Sequence, residues 1–390
     1  KVSCWKYITI FFMIGKMNSN GLMKKRFLGV LLSVAMVAAV LAGCGSSGAK
    51  ETAAPAGSET EAASEAASGE TEAAGNTGDV ITVGFSQVGA ESDWRTANSE
   101  SMKSTFSTEN GYNLIFDDAQ QKQENQIAAI RNFIQQEVDY IVLAPVTESG
   151  WDTVLQEAKD AEIPVIIVDR MVNVSDDSLY TAWVGSNFKL EGQKACEWLK
   201  AYAEAKGMSE VNIVDIQGTI GASAQIGRTE ALNEAVEANG WNLLAQQTGE
   251  FTQAKGQEVM ESMLKQYDNI NVVYCENDNE AFGAIEAIKA AGKTVGPDGD
   301  ILVMSFDTTK QGITDTLSGD IIVNTECNPL HGPRVEQIIK QLQAGETPEK
   351  QAYVEEGIYA HGSDVASVSI DGTDYEVTEV TQDVVDARAY

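Results

Sequence analysis

Charged side chains directly follow apolar runs of the chain, beginning with Asp169 and Arg170 at the end of "PVIIVDR". A carboxylate there can accept hydrogen bonds from two neighbouring hydroxyl groups, and a guanidinium offers a fork of donors to their oxygens. Asn277 follows "VVYCE" and Asp307 follows "LVMSF", which adds an amide and a second carboxylate. We expect Asp169 and Arg170 also to hold each other in place before a ligand binds. An isolated pair of this kind is equally typical of a surface ion pair, so the surrounding elements decide between a binding site and a surface ion pair.

Aromatic rings and further guanidinium groups occupy similar positions. Trp94 and Arg95 lie beyond the first apolar run, Arg228 follows "DIQGTIGASAQIG", and Phe251 ends "QQTGEF". A flat ring can lie against the C–H face of a sugar without requiring a hydrogen bond. Acceptors, donors and flat aromatic rings together indicate a site for a neutral polyol such as a sugar.

These residues are positioned by short apolar runs that alternate with helical patterns from residue 79 onward, which predicts βαβ units and parallel sheets buried on both faces. The predicted strands cover residues 80–87, 113–119, 140–146 and 164–169 in a first set, and 211–218, 242–250, 271–278 and 301–307 in a second. Two more apolar runs, 180–186 and 321–327, are interpreted as extra strands that could cross between lobes. The pattern favours two doubly wound α/β lobes, with a single eight-stranded barrel as the competing fold. Ligands of open parallel sheets bind at the carboxyl ends of the strands, where the polar residues lie.

Length and charge exclude several classes of function. The chain has 390 residues, enough for two domains, and a formal net charge of -31, which argues against nucleic-acid binding because phosphate contacts need clustered Lys and Arg. Its two histidines, His331 and His361, lie near no nucleophile elbow, and no phosphate-binding glycine loop is present in the sequence. We therefore expect no enzyme activity, no cofactor and no metal. Cys196, Cys275 and Cys327 fit no zinc spacing and are interpreted as buried apolar side chains.

The N-terminal segment is interpreted as a targeting signal. Residues 23–44 have a basic start and an apolar run of signal-peptide length, and they end in "LAGC", which looks like a lipobox with Cys44 as the lipidated residue. An uncleaved anchor helix is the alternative. Met23 is a good translation start, which would leave residues 1–22 untranslated. Residues 45–78 contain Ala, Gly, Ser, Thr and Glu without a large apolar residue, and this composition predicts a disordered acidic tether.

The order of several motifs resembles a known family. "GASAQIGR", "GEFTQAKG", "CENDNEAFGA", "MSFD" and "ECNPLHGP" follow one another as in ABC-transporter sugar-binding proteins of the periplasmic-binding-protein type I group. "GAESDWRTANSESM" and "TQDVVDARAY" look closest to the galactofuranose-binding branch. The resemblance extends over residues 80–390.

This resemblance implies two Rossmann-like lobes joined by a three-stranded hinge and closing on a monosaccharide. The lobes would comprise residues 79–184 plus 326–355 and residues 185–325 plus 356–390. It further implies a monomeric, extracytoplasmic, lipid-anchored protein that delivers its sugar to an ABC permease and, indirectly, to that permease's ATPase. A sensor that presents its sugar to a membrane receptor kinase is the alternative. A sugar-responsive repressor is excluded, since the region before residue 79 carries no helix-turn-helix pattern.

The resemblance also assigns residues to the sugar site. Glu91 and Glu326 join the residues found above, Glu326 because it stands near the position where ribose binders carry a hinge glutamine. Ala144 replaces an amide of the ribose binders, so both positions argue against ribose. The predicted site comprises Glu91, Trp94, Arg95, Asp169, Arg170, Arg228, Phe251, Asn277, Asp307 and Glu326.

Overall fold

The apolar runs of the sequence form the strands of two open sheets. The computed structural model describes residues 80–390. The predicted signal peptide, the predicted lipidation site at Cys44 and the predicted tether lie outside these residues. No helix in the described part of the chain combines the length and apolar character needed to cross a membrane.

The first sheet is entirely parallel and has the strand order β11-β5-β4-β3-β1-β2. Its strands are β1 (Ile81–Gln87), β2 (Tyr112–Asp118), β3 (Tyr140–Leu143), β4 (Val165–Val168), β5 (Ala182–Gly185) and β11 (Gln351–Tyr353). One face packs on α1 (Asp93–Thr105) and α9 (Gly332–Gln343), the other on α2 (Gln123–Gln135) and α3 (Asp152–Asp160). Helices on both faces make this lobe doubly wound, as predicted.

The second sheet has the order β13-β14-β12-β10-β9-β8-β6-β7. Its strands are β6 (Asn212–Gln217), β7 (Asn242–Thr248), β8 (Val272–Cys275), β9 (Leu302–Asp307), β10 (Val323–Glu326), β12 (Ile358–Ala360), β13 (Ser367–Ile370) and β14 (Thr373–Glu379). The helices of this half are α4 (Phe188–Lys206), α5 (Ser223–Asn239), α6 (Gln253–Gln266), α7 (Asp278–Ala290), α8 (Lys310–Ser318) and α10 (Gln382–Ala387). Two separate open sheets exclude the eight-stranded barrel.

The chain passes between the sheets after β5, after β10 and after β11. The three connections are the first connection (residues 186–187), the second connection (residues 327–331) and the third connection (residues 354–357). They bring the carboxyl ends of the parallel strands of both sheets toward one cleft.

One detail differs from the sequence interpretation. Strands β2 and β7 lie at the edges of their sheets and are partly exposed, whereas the apolar pattern predicts strands buried on both faces.

The Asp371-Gly372 turn joins β13 to β14, with φ values of 50° and 80° that suit a tight hairpin, and β14 then pairs with β12. The hairpin is thus part of the second sheet. The three cysteines are buried and unpaired within residues 80–390, as predicted.

Candidate functional site

A cavity of about 290 Å³ lies where the carboxyl ends of the two sheets meet. Its lining consists of Glu91, Ser92, Trp94, Arg95, Asp169, Arg170, Phe188, Ala224, Arg228, Phe251, Asn277, Asp307 and Cys327. The structure thus brings together all the predicted site residues except Glu326. Their contact with a ligand stays a prediction.

The wall from the first lobe is a network of buried charges. Arg95 Nη2 lies 2.8 Å from Asp169 Oδ2, and Arg95 Nε donates to Glu91 Oε1 at 3.0 Å. Arg170 Nη2 lies 3.5 Å from the same Glu91 oxygen, and its Nη1 donates to the Val146 carbonyl at 3.0 Å. Two acids and two guanidinium groups therefore fix one another before any ligand is present.

Asp169 and Arg170 do not serve as each other's principal partner, in contrast to our prediction. Each pairs with a residue near the start of α1, because Asp169 ends its strand with φ 63° and the chain turns sharply there. The turn packs closely on β5, where a Cβ atom at Gly185 would lie 2.3 Å from the Asp169 carbonyl oxygen. Backbone held in this sparsely populated region is common where a binding side chain must be aimed.

Asp169 and Arg170 of this wall keep their charges at neutral pH. Although burial opposes ionisation, the guanidinium groups of Arg95 and Arg170 lower the pKa of Asp169. Burial and the like charge of Arg95 lower the pKa of Arg170 to about 10, which leaves it cationic. The wall thus offers fixed donors and acceptors to an incoming ligand.

The wall from the second lobe is built around Arg228. Its Nε donates to Glu191 Oε2 at 2.8 Å, its Nη1 donates to the Glu276 carbonyl, and its Nη2 lies 3.6 Å from Asp307 Oδ1. All these groups are buried. Burial raises the pKa of Asp307 well above its ordinary value, against the opposing effect of Arg228. Asp307 has φ 101°, so this acid also projects from a strained turn at a strand end.

An apolar wall completes the cavity and spans both lobes. Trp94 from α1 packs with Phe188, Phe251 and Cys327 in one buried cluster. Trp94 Nε1 donates to the Cys327 carbonyl at 2.6 Å, and the Arg170 guanidinium lies 5.0 Å from the centre of the Phe251 ring. The indole and the phenyl ring are therefore held in fixed orientations, as stacking against a sugar requires.

The two lobes contact each other across the mouth of the cleft. Asp93 N donates to Asn279 Oδ1, Glu148 N donates to the Gly221 carbonyl, and Met171 N donates to Ser223 Oγ, each at 2.9 Å. The first residue of each pair lies in the first lobe and the second in the other. The structure is therefore the closed form of the protein.

A chain of amide hydrogen bonds supports Arg95 from behind. Arg95 Nη1 donates to Gln87 Oε1 at 3.3 Å, Gln87 Nε2 donates to Asn98 Oδ1 at 2.9 Å, and Asn98 Nδ2 lies 3.0 Å from His331 Nδ1. Because an amide nitrogen can only donate, His331 Nδ1 must be the acceptor and the ring is neutral. His331 lies at the end of the second connection, so this network joins the cavity wall to the hinge.

We expect acid to destabilise the protein through His331. Burial lowers its pKa from 6.5 to about 4, so between these values the unfolded chain takes up a proton that the folded chain excludes. The free energy of unfolding therefore has its full value above pH 6.5 and decreases as the pH drops, by about 3 kcal/mol in all. Denaturant unfolding of the wild type and His331→Gln across this range would measure the difference. His361→Gln should keep the wild-type slope, and an identical slope in His331→Gln would contradict the assignment.

Glu326 is the predicted site residue that the structure places elsewhere. Its Oε2 accepts from Gly357 N at 3.0 Å, and its Oε1 accepts from Arg388 Nη1 and the Tyr390 hydroxyl, each at 2.8 Å. The side chain joins the end of β10 to the third connection and to the C-terminal residues. Pairing with residues some sixty positions away in sequence is not visible in a local pattern.

Sequence reasoning missed several other lining residues: Ser92, Phe188, Ala224 and Cys327. The rule that ligands bind at strand ends could have found Cys327, which directly follows β10. Ser92 is a residue type typical of helix N-caps, and in the structure its hydroxyl accepts a hydrogen bond from Arg95 N. Phe188 and Ala224 carry no polar group and give no such signal.

Comparison with known proteins identifies the family. A family model described as "Periplasmic binding protein domain" matches residues 83–325. The chain belongs to the periplasmic binding protein family. The galactofuranose-binding protein YtfQ of Escherichia coli is 42% identical over 72% of this chain and 87% of its own length.

Solved structures of similar proteins agree with this fold. A Mycobacterium smegmatis protein in complex with β-D-fucofuranose superposes with a TM-score of 0.69 and 43% identity, covering 72% of this chain and 91% of that one. The binding protein of the arabinose ABC transporter from Shewanella sp. ANA-3, bound to α- and β-L-arabinofuranose, gives a TM-score of 0.67 and 42% identity, covering 72% and 92%. YtfQ and the Shewanella protein are binding proteins, in agreement with the prediction that the chain is not an enzyme.

Proposed function

We propose that this periplasmic binding protein captures a neutral monosaccharide in its furanose form, such as galactofuranose, and delivers it to an ABC permease. The observation that carries the proposal is the cavity between the lobes, in which buried donors, acceptors and aromatic rings from both lobes face one space. We further propose that Cys44 anchors the protein on the outer side of the cell membrane.

The balance of charge favours an uncharged ligand. Three guanidinium groups, Arg95, Arg170 and Arg228, and three carboxyl groups, Glu91, Asp169 and Asp307, line the cavity. Most of them already pair with one another at 2.8–3.6 Å. A sugar phosphate would bring a further negative charge to a wall whose positive charges are already compensated, and its desolvation would not be offset.

The size of the cavity favours a single sugar ring. The lining residues leave only about 290 Å³ of empty space between them, part of which is open to solvent, and this favours a ligand no larger than one sugar ring. Contacts across the mouth leave no wide exit for a second ring in the closed form of residues 80–390. The furanose form is supported by the relatives, whose ligands are named as galactofuranose, fucofuranose and arabinofuranose.

Binding would proceed by closure of the two lobes. The sugar first meets one wall of the open cleft, and the second wall then supplies hydrogen bonds that exist only when the lobes meet. Each hydrogen bond to a charged group contributes roughly 1.5–3 kcal/mol. Micromolar affinity requires about 8 kcal/mol, so a few such bonds are sufficient after the cost of closure.

Titration calorimetry with paired sugar analogues would test this function. We expect the purified protein to bind galactose and arabinose analogues locked in the furanose ring at least about tenfold more tightly than their pyranose-locked isomers, because one lost buried hydrogen bond has an effect of that size. A phosphorylated sugar serves as the charged control and should not bind. Failure to bind any monosaccharide, or tighter binding of the phosphorylated sugar, would refute the proposal.

A further inference from the structure

The Glu356 carboxyl group connects all three segments that join the lobes. Glu356 belongs to the third connection. Its Oε1 accepts hydrogen bonds from the Ser186 hydroxyl on the first connection and from Asn328 N on the second, both at 2.7 Å. A change in the relative placement of any two connections must therefore break or strain one of these bonds.

The same carboxyl group lies beside Glu191, the acid that holds Arg228. Oxygen atoms of Glu191 and Glu356 and the Cys327 sulfur lie within 4.8 Å of one another. Glu191 Oε2 accepts from Arg228 at 2.7 Å, whereas Glu191 Oε1 is buried and finds no donor among the described residues unless Glu356 carries a proton. A protonated Glu356 would complete this hydrogen bond.

The charges around the pair favour a proton over a metal ion. Arg228 contacts Glu191, and Lys194 Nζ donates to the Glu356 carbonyl at 2.7 Å, so a divalent cation at this point would meet two cations already in place. Burial raises the pKa of Glu356 well above its ordinary value, and the neighbouring carboxylates of Glu191 and Glu326 add to the effect. Burial likewise raises the pKa of Glu191, against the lowering effects of Arg228 and Lys194. Two close carboxyl groups titrate as a coupled pair, because ionisation of the first disfavours ionisation of the second.

We propose that Glu356 is a positioning residue for ligand binding, which shares a proton with Glu191 and thereby couples the arrangement of the three connections to the aim of Arg228 into the cavity. This inference rests on the proposed sugar-binding function. Glu356 itself does not line the cavity. Its effect on affinity passes through Glu191 and Arg228 and through the closed arrangement of the hinge.

Three variants test the proposal by calorimetry with a furanose sugar that the wild type binds. Glu356→Gln keeps an acceptor for Ser186 and Asn328 and offers an amide hydrogen to Glu191, so it should bind the sugar as the wild type does. Glu356→Ala removes the acceptor and the donor, and we expect at least about tenfold weaker binding because buried groups lose their partners. Glu355→Gln makes the same chemical change at the exposed neighbouring position and should have no effect.

A pH profile separates the shared proton from a merely structural role. Affinity of the wild type should fall more steeply toward alkaline pH than that of Glu356→Gln, because both proteins share the titration of Asp307 and Arg170 in the cavity and only the wild type also loses the proton of the pair. The proposal of a shared proton would be wrong if the wild type and Glu356→Gln had identical pH profiles of affinity, or if Glu356→Gln bound the sugar as weakly as Glu356→Ala. Wild-type affinity in Glu356→Ala would overturn the positioning role.

Small-angle scattering without sugar gives a readout that does not depend on the proposed function. Glu356→Ala should populate a more open form, with a larger radius of gyration than the wild type and Glu356→Gln. If the wild type bound no sugar, the proposed function would fail while this comparison still tested the hinge. An unchanged radius of gyration in Glu356→Ala would overturn the inference on its own.

Discussion

Replacement of Arg228 by alanine is expected to weaken sugar binding at least about tenfold and to destabilise the protein at the same time, since one side chain serves both the cavity and the core. Arg228 is the cation that Glu191 contacts directly, and it lies 3.6 Å from Asp307. Its removal leaves these acids buried without their compensating charge, a change that costs about 3–5 kcal/mol. Calorimetry would measure the affinity, and urea unfolding would measure the free energy of unfolding.

Arg131→Ala is the matched control for this variant. Arg131 binds Glu157 at 2.7 Å through a similar guanidinium and carboxylate pair, but both side chains are largely exposed. Solvent screens such a pair, so neither affinity nor stability should change measurably. Arg228→Lys retains the charge while losing the fork of donors, and should bind between the wild type and Arg228→Ala. If Arg228→Ala kept wild-type affinity, Arg228 would have no part in the site.

The site could be predicted from the sequence because its residues lie at the carboxyl ends of strands. Parallel strands were recognised from apolar runs, and the rule that ligands bind at their carboxyl ends placed Asp169, Asn277 and Asp307 together, as the structure shows. The strand-end rule requires only the position of each residue relative to its own strand. The order of the strands in the sheet is not required.

Pairings between distant segments could not be predicted in the same way. The sequence predicts that Asp169 pairs with its neighbour Arg170, yet its partner is Arg95, because a left-handed turn redirects the chain at that point. Glu326 was assigned to the sugar from its place near the hinge, whereas residues 388 and 390 engage it. The short strands β11 and β12 likewise have too few residues for a periodic pattern, and they exist through their pairing with β5 and β10.

Substitution of Gly218, which lies next to Phe251 in the aromatic wall, is expected to have the second large effect on sugar affinity. A Cβ atom at Gly218 would lie 1.9 Å from the tip of the Phe251 ring. Gly218 cannot move aside easily, since its N–H donates to Glu276 Oε2 at 2.8 Å and its carbonyl accepts from Thr248 Oγ1 at 2.7 Å. The Phe251 backbone is fixed as well, because its N–H donates to Glu280 Oε1 at 2.8 Å. The ring itself must therefore move in Gly218→Ala.

We expect Gly218→Ala to weaken sugar binding by roughly tenfold to a hundredfold, because returning a displaced ring to its place costs about 1–3 kcal/mol. A double-mutant cycle with Phe251→Ala gives the control. Phe251→Ala loses the stacking surface but also removes the clash, so adding Gly218→Ala to it should cause no further loss of affinity. Calorimetry on the four proteins measures the coupling. Wild-type affinity in Gly218→Ala, or equal losses in both backgrounds, would show that the Phe251 ring is not held against the ligand by the backbone at Gly218.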